Sequence, residues 1–105
     1  MIFNFSPIRM DEVLKVSTLG DSIILNDETF DFSPLQAGDT LPKEAIASKW
    51  FCGDVFKDAQ GVLNISLLLP HGGNAPEETR HPNQLVVDED GDVALPAYSE
   101  EIVNG

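Results

Sequence analysis

The sequence predicts an all-β domain: a small antiparallel sandwich or rolled sheet of about seven or eight short strands with one short helix. Three observations carry that expectation. Apolar and β-branched residues recur with a period of two in short runs, which is strand spacing. Gly, Asp, Asn and Pro punctuate those runs roughly every 8 to 14 residues, the rhythm of consecutive hairpins. One stretch alone carries a helix-start signal, and it lasts about two turns.

Phe3 and Phe5 alternate with polar neighbours and open the chain on a strand. Residues 13–18 and 22–25 flank Leu19-Gly20-Asp21, a hairpin in which Gly20 supplies a positive φ. Asn26-Asp27-Glu28 then turns the chain into Thr29-Phe30-Asp31-Phe32, whose two aromatic rings share a face. The first third is expected as a β-meander with an aromatic inner face. Residues 33–41 form a loop, and Thr40 caps the short helix, with Pro42 in its first turn and residues 43–47 following. A second hairpin runs through residues 50–57, turns at Asp58-Ala59-Gln60-Gly61 and returns along residues 62–69. On that return Leu63, Ile65, Leu67 and Leu69 share one face, the pattern of a central strand covered on one side. The strand is expected to break at Pro70. A third hairpin pairs residues 85–87 with 93–95 around Asp88-Glu89-Asp90-Gly91-Asp92. Residues 1–97 make a single β-rich domain by length, and residues 98–105 a frayed acidic tail.

Charge narrows the function classes. Eighteen acidic residues against six basic ones leave a net charge of -12, and no Lys or Arg follows Arg80. Binding to a phosphate backbone rests on Lys and Arg displacing counterions, so no direct nucleic-acid contact is expected. What remains is solubility or attraction to a basic partner. No apolar run approaches the roughly 20 residues of a membrane helix. The run MIFNFSPIRMDE lacks the basic-then-apolar order of a secretory signal. The single cysteine, Cys52, excludes an internal disulfide and suits a reducing cytoplasm. It is read as a buried, inert thiol.

Several short motifs invite chemistry. Gly20-Asp21-Ser22 resembles the nucleophile block of one esterase superfamily, but that family needs an Asp three residues before its His, which neither histidine here has. Pro70-His71-Gly72-Gly73 resembles the oxyanion loop of some lipases, yet no G-x-S-x-G supplies the nucleophile. Asp88, Asp90 and Asp92 hint at a calcium loop, although Gly91 falls at the fourth position rather than the sixth. His71 and His81 with Glu77 and Glu78 have zinc-ligand chemistry without zinc-ligand spacing. No catalytic residue, metal or cofactor is therefore expected. The long loop around His71, Gly72, Gly73, Asn74, Glu77, Glu78 and Arg80 is instead read as a binding surface, stiffened by Pro70, Pro76 and Pro82. Trp50 and Phe51 are expected in the core, with an exposed anchor as the other reading.

Four phrases carry a wider likeness: FNFSP at 3–7, TFDFSPL at 29–35, TLPKEAIASKWF at 40–51 and LLLPHGGNAPEETR at 67–80. In this order the chain resembles a family of short, uncharacterised proteins encoded among the tail genes of tailed phages and prophages. The resemblance implies a non-enzymatic accessory protein that binds a protein partner, another tail-region protein, in tail assembly or structure. It would act in the cytoplasm of the bacterial host or in the virion. A small-ligand protein or minor enzyme using the 70–82 loop is the alternative. An acidic mimic of nucleic acid is the third reading, and its carboxylates are expected to scatter among turns.

Overall fold

In the computed structural model of the chain, residues 1–73 and 75–96 are described, Glu78 by its backbone alone. The expected frayed tail over 98–105 lies outside the described residues. These residues form nine strands: β1 Ile2–Arg9, β2 Val16–Leu19, β3 Ser22–Leu25, β4 Glu28–Asp31, β5 Thr40–Leu41, β6 Val55–Lys57, β7 Leu63–His71, β8 Leu85–Val86 and β9 Gly91–Asp92. A single α-helical turn, α1 Glu77–Arg80, sits between β7 and β8. The strands divide into two sheets, ordered β5-β6-β7-β1-β8 and β4-β3-β2-β9. The all-β expectation holds, with more strands than foreseen.

The four-stranded sheet grows mostly from local turns. Gly20 takes φ 58 between β2 and β3, as expected of a residue that meets no Cβ penalty there. Asn26 and Asp27, the two residues between Leu25 and Glu28, both have positive φ, 47 and 71. Positive φ at both central positions gives the turn whose twist matches the flanking strands. Asn26 is held on both sides: its Oδ1 accepts the Lys15 N–H at 2.7 Å and its Nδ2 donates to Val13 O at 3.1 Å. The meander is thus β2-β3-β4, and β1 does not belong to it.

β1 instead pairs with β7, in parallel, through eight residue pairs from Ile2↔Asn64 to Arg9↔His71. Parallel neighbours need a long crossover, and here the chain between them contributes most of the other sheet. On the inner face Phe3, Ile65 and Leu67 are fully buried and belong to one cluster with Val16, Ile23, Leu25 and Phe32. Phe51 joins the sheets: Phe30 and Phe32 meet its ring edge-on at centroid distances of 5.1 and 6.0 Å. Edge-on contact sets positive ring edges against a negative face. Leu63, Ile65, Leu67 and Leu69 are all buried, as their alternation predicts.

The strand does not break at Pro70, and hydrogen-bond direction explains why. Leu68 N–H donates to Trp50 O, on the side away from β1, while His71 O accepts from Met10 N–H on the β1 side. Alternation then points Pro70 away from β1, so its missing N–H ends pairing with the 50–52 segment and leaves the β1 ladder whole. The same logic places Pro7. Met1 O accepts Val87 N–H on the β8 side, so alternate residues, Pro7 among them, face that way. β8 pairs only with Ile2 and Phe3, so the missing donor of Pro7 falls on an open edge.

Three further expectations need correction. The second hairpin is regular only at β6, and Phe51 makes a lone bridge to Leu67. The helix after Pro42 is one 3-10 turn, Lys43–Ala45, without a side-chain cap. Thr40, its expected cap, pairs with Phe56 in β5 instead, and the Lys43 N–H goes to Asp54 Oδ1 at 2.8 Å. So short a helix lacks the length to persist without packing. The third hairpin does not form. Its first arm, β8, extends the five-stranded sheet beside β1, and its second, β9, extends the other sheet beside β2. A two-stranded hairpin alone is marginal, whereas splitting its arms pairs backbone groups on two open edges.

Register also defines the outer face of the five-stranded sheet. One row crosses it as Thr40, Phe56, Asn64, Ile2 and Val86. Along β1 and β7 the next rows are Asn4 with Ser66, Ser6 with Leu68, and Ile8 with Pro70.

Candidate functional site

The segment from His71 to Gln84 must carry the chain from β7 over to the far side of β1, where β8 pairs. It does so pinned to the sheet. Ala75 is 7% exposed and Thr79 fully buried, and α1 packs on both β1 and β7. Leu69 and Ala75 are buried outside the main core cluster, so this end of the molecule has its own small patch of packing. Pro76 starts α1 with φ -66, a value proline already holds, and its carbonyl accepts from Thr79 and Arg80 N–H. His81 closes the turn by donating its N–H to Glu77 O at 2.8 Å.

The candidate residues fall into two groups. His71 ends β7, half-buried, and its Nδ1–H donates to Gly72 O at 2.9 Å. Gly73, Glu77 and Arg80 are exposed. Asn74, and the side chain of Glu78, lie outside the described residues. Among the described residues no group of three or more His, Cys, Asp and Glu side chains is placed to hold a metal ion.

One contributor is invisible to a linear reading. A Cβ placed on Gly73 would lie 2.9 Å from a guanidinium nitrogen of Arg9, so the Arg9 side chain lies across this glycine. Only the β1–β7 register, which pairs Arg9 with His71, brings residue 9 to the loop. No local motif could have signalled it. Both arginines of the chain and both histidines therefore belong to this end.

The opposite end of β1, about 25 Å away at strand rise, is acidic. A cavity of about 350 Å³ there is lined by Met1, Asp21, Asp88, Glu89 and Asp90 among others. The split third hairpin delivers residues 88–90 beside the first turn, so four of the chain's eighteen acidic residues line this one cavity. Two of these carboxylates are already engaged: Asp21 pairs with Lys57 Nζ at 3.2 Å, and Asp90 Oδ1 accepts the Gly20 N–H at 2.9 Å. Thr18 Oγ1 donates to Glu89 O and the Met1 ammonium to Val87 O, closing the segment onto both sheets.

Elsewhere, Trp50 and Phe51 are buried, so neither is presented as an anchor. Cys52 is half-buried rather than buried, its Sγ 3.5 Å from Ser6 Oγ. No helix among the described residues is long and apolar enough to cross a membrane. Comparison with protein-family models, with curated proteins and with solved structures finds no match.

Proposed function

We propose that this chain is a non-enzymatic accessory protein that binds a protein partner through the face of the His71–Gln84 segment. One observation carries the reading: the segment is held down from beneath while its polar groups point outward. Buried Ala75 and Thr79 dock it, Arg9 lies across Gly73, and Gly73, Glu77 and Arg80 stand exposed on the result. A surface set before the partner arrives loses less conformational entropy on binding. Arg9 and Arg80 give it planar donors suited to partner carboxylates, on a chain that is otherwise strongly acidic. His71 donates its Nδ1–H to the Gly72 carbonyl, which fixes its ring against the loop backbone.

The setting rests on the resemblance of residues 3–7, 29–35, 40–51 and 67–80 to the tail-region family of phages and prophages. The partner is then another tail-region protein, met in the bacterial host or in the virion. Affinity capture of proteins encoded beside this chain tests the proposal, with wild type compared against Glu77→Ala/Arg80→Ala. Capture by wild type, weakened by about tenfold or more in the variant, is the expected result. Wild type that captures no tail-region protein, with normal tails after gene deletion, sinks it.

A further inference from the structure

We propose that Arg9 and Gly73 together form a seat for one acidic side chain of the partner, with Gly73 as the residue that positions the Arg9 guanidinium. The inference rests on the reading above, that the His71–Gln84 face binds a protein, and adds the chemistry this face selects. A Cβ on Gly73 would lie 2.9, 3.2 and 3.6 Å from Nη2, Cζ and Nε of Arg9. Three atoms of one plane so close to one point lay the guanidinium across the glycine rather than end-on to it. A side chain at residue 73 would occupy the space the plane now fills. The backbone itself does not ask for glycine here, since Gly73 is not among the positive-φ residues. The stem of Arg9 is fixed as well: β1 pairs it with His71, and the Met10 N–H donates to His71 O at 3.2 Å.

Seating the guanidinium decides what it can bind. The glycine covers one of its flat faces, and its N–H donors lie in the plane, along the edges. A carboxylate meets such a fork in that plane, through two parallel hydrogen bonds. A freely turning arginine gives up its rotamers to do this, whereas a seated one has given up part of them already. The chain leaves the fork unfilled. Arg9 is exposed and has no carboxylate partner among the described residues, although acidic residues outnumber basic ones 18 to 6. A nucleic-acid backbone is a poor match, because it calls for many cations and is repelled by a net charge of -12. One fork suits one aspartate or glutamate on a protein surface.

Gly73 can be changed without disturbing the fold. It is exposed, and the atom an alanine methyl would meet is the far end of a flexible side chain. Gly73→Ala should therefore leave Tm unchanged and only unseat the guanidinium. Calorimetric titration against the tail-region protein that wild type captures compares four full-length chains: wild type, Arg9→Ala, Gly73→Ala and the double variant. Arg9→Ala should weaken binding about tenfold. Gly73→Ala should weaken it about fivefold, and should add nothing in the Arg9→Ala background, because both act through one contact. Arg9→Lys keeps the charge but loses the fork, so it should fall about as far as Gly73→Ala. In the free chain, the NMR signal of the Arg9 Nε–Hε group should stand apart from that of a freely turning arginine, and Gly73→Ala should move it there. A wild-type signal already at that position overturns the seat, whatever the partner does. Gly73→Ala that binds as wild type, or that costs as much without Arg9 as with it, overturns the inference and leaves the broader reading standing. Arg9→Lys at full affinity does the same. A wild type that captures no tail-region protein removes both.

Discussion

The two sheets differ in how far apart in the chain their strands begin. In the four-stranded sheet β2, β3 and β4 follow one another through two tight turns, and only β9 arrives from a distance. In the five-stranded sheet the central pair joins Ile2 to Asn64, and β8 reaches β1 from the other end of the chain. Local strands can be set by the two residues between them. Distant strands are set by which edges remain open and by which side each backbone donor faces. The core residues look alike in both sheets, so hydrophobicity does not separate the two cases.

The largest test of that difference uses neighbouring residues in β1. Alternation of donors places the Ser6 N–H towards β7 and position 7 towards the open edge. Ser6→Pro should therefore remove a ladder bond from the central parallel pair, and cost about 2 kcal/mol or more. Pro7→Ala, one residue on, should stay within about 1 kcal/mol of wild type. Urea denaturation of the two variants checks the contrast. Equal losses at both positions would contradict the assigned donor directions.

The local sheet is sensitive instead at its turns. Asn26→Ala should cost about 1–2 kcal/mol, because alanine is strained at φ 47 and the bonds to Lys15 and Val13 vanish. Asp27→Gly should do the opposite, stabilising by up to about 1 kcal/mol, since glycine adopts φ 71 without steric conflict. Opposite shifts in Tm from adjacent substitutions are the expected result. Neither change should alter the β1–β7 pairing, which depends on no residue of this turn.

The same division explains what could be read in advance. Gly20, Asn26 and the alternating Leu63, Ile65, Leu67 and Leu69 announced the meander and the central strand, because each acts over two to four residues. The parallel partner of β1 was not legible: nothing near Phe3 names Ile65. The third hairpin looked convincing because Asp90-Gly91 is a good local turn. Its arms separated because β1 and β2 each had an edge to fill. At the candidate site the loop and its exposed Arg80 were legible, but Arg9 and buried Thr79 were not. Thr79 sits in a polar run, EETRHP, and owes its burial to the sheet beneath it.

The smallest effect concerns acid, and it again belongs to the local sheet. Asp31 ends β4, and its carboxylate accepts the Ser33 N–H at 2.9 Å, which is the main reason its pKa is lowered from 3.8. The Ser33 hydroxyl adds to that shift, burial opposes it weakly, and the Ser22 hydroxyl, donating at 3.3 Å from the start of β3, adds further. A carboxyl whose folded value lies below its unfolded value stabilises the fold when ionised. That contribution is fully present above 3.8 and is lost as pH falls through the lower, folded value. Full exposure to solvent keeps the effect small. Wild type should therefore melt slightly above Asp31→Asn at neutral pH, and the two should converge well below pH 3.8. A gap that persists unchanged in acid would mean that the asparagine disturbs the β3–β4 junction by shape, and that the charge contributes nothing.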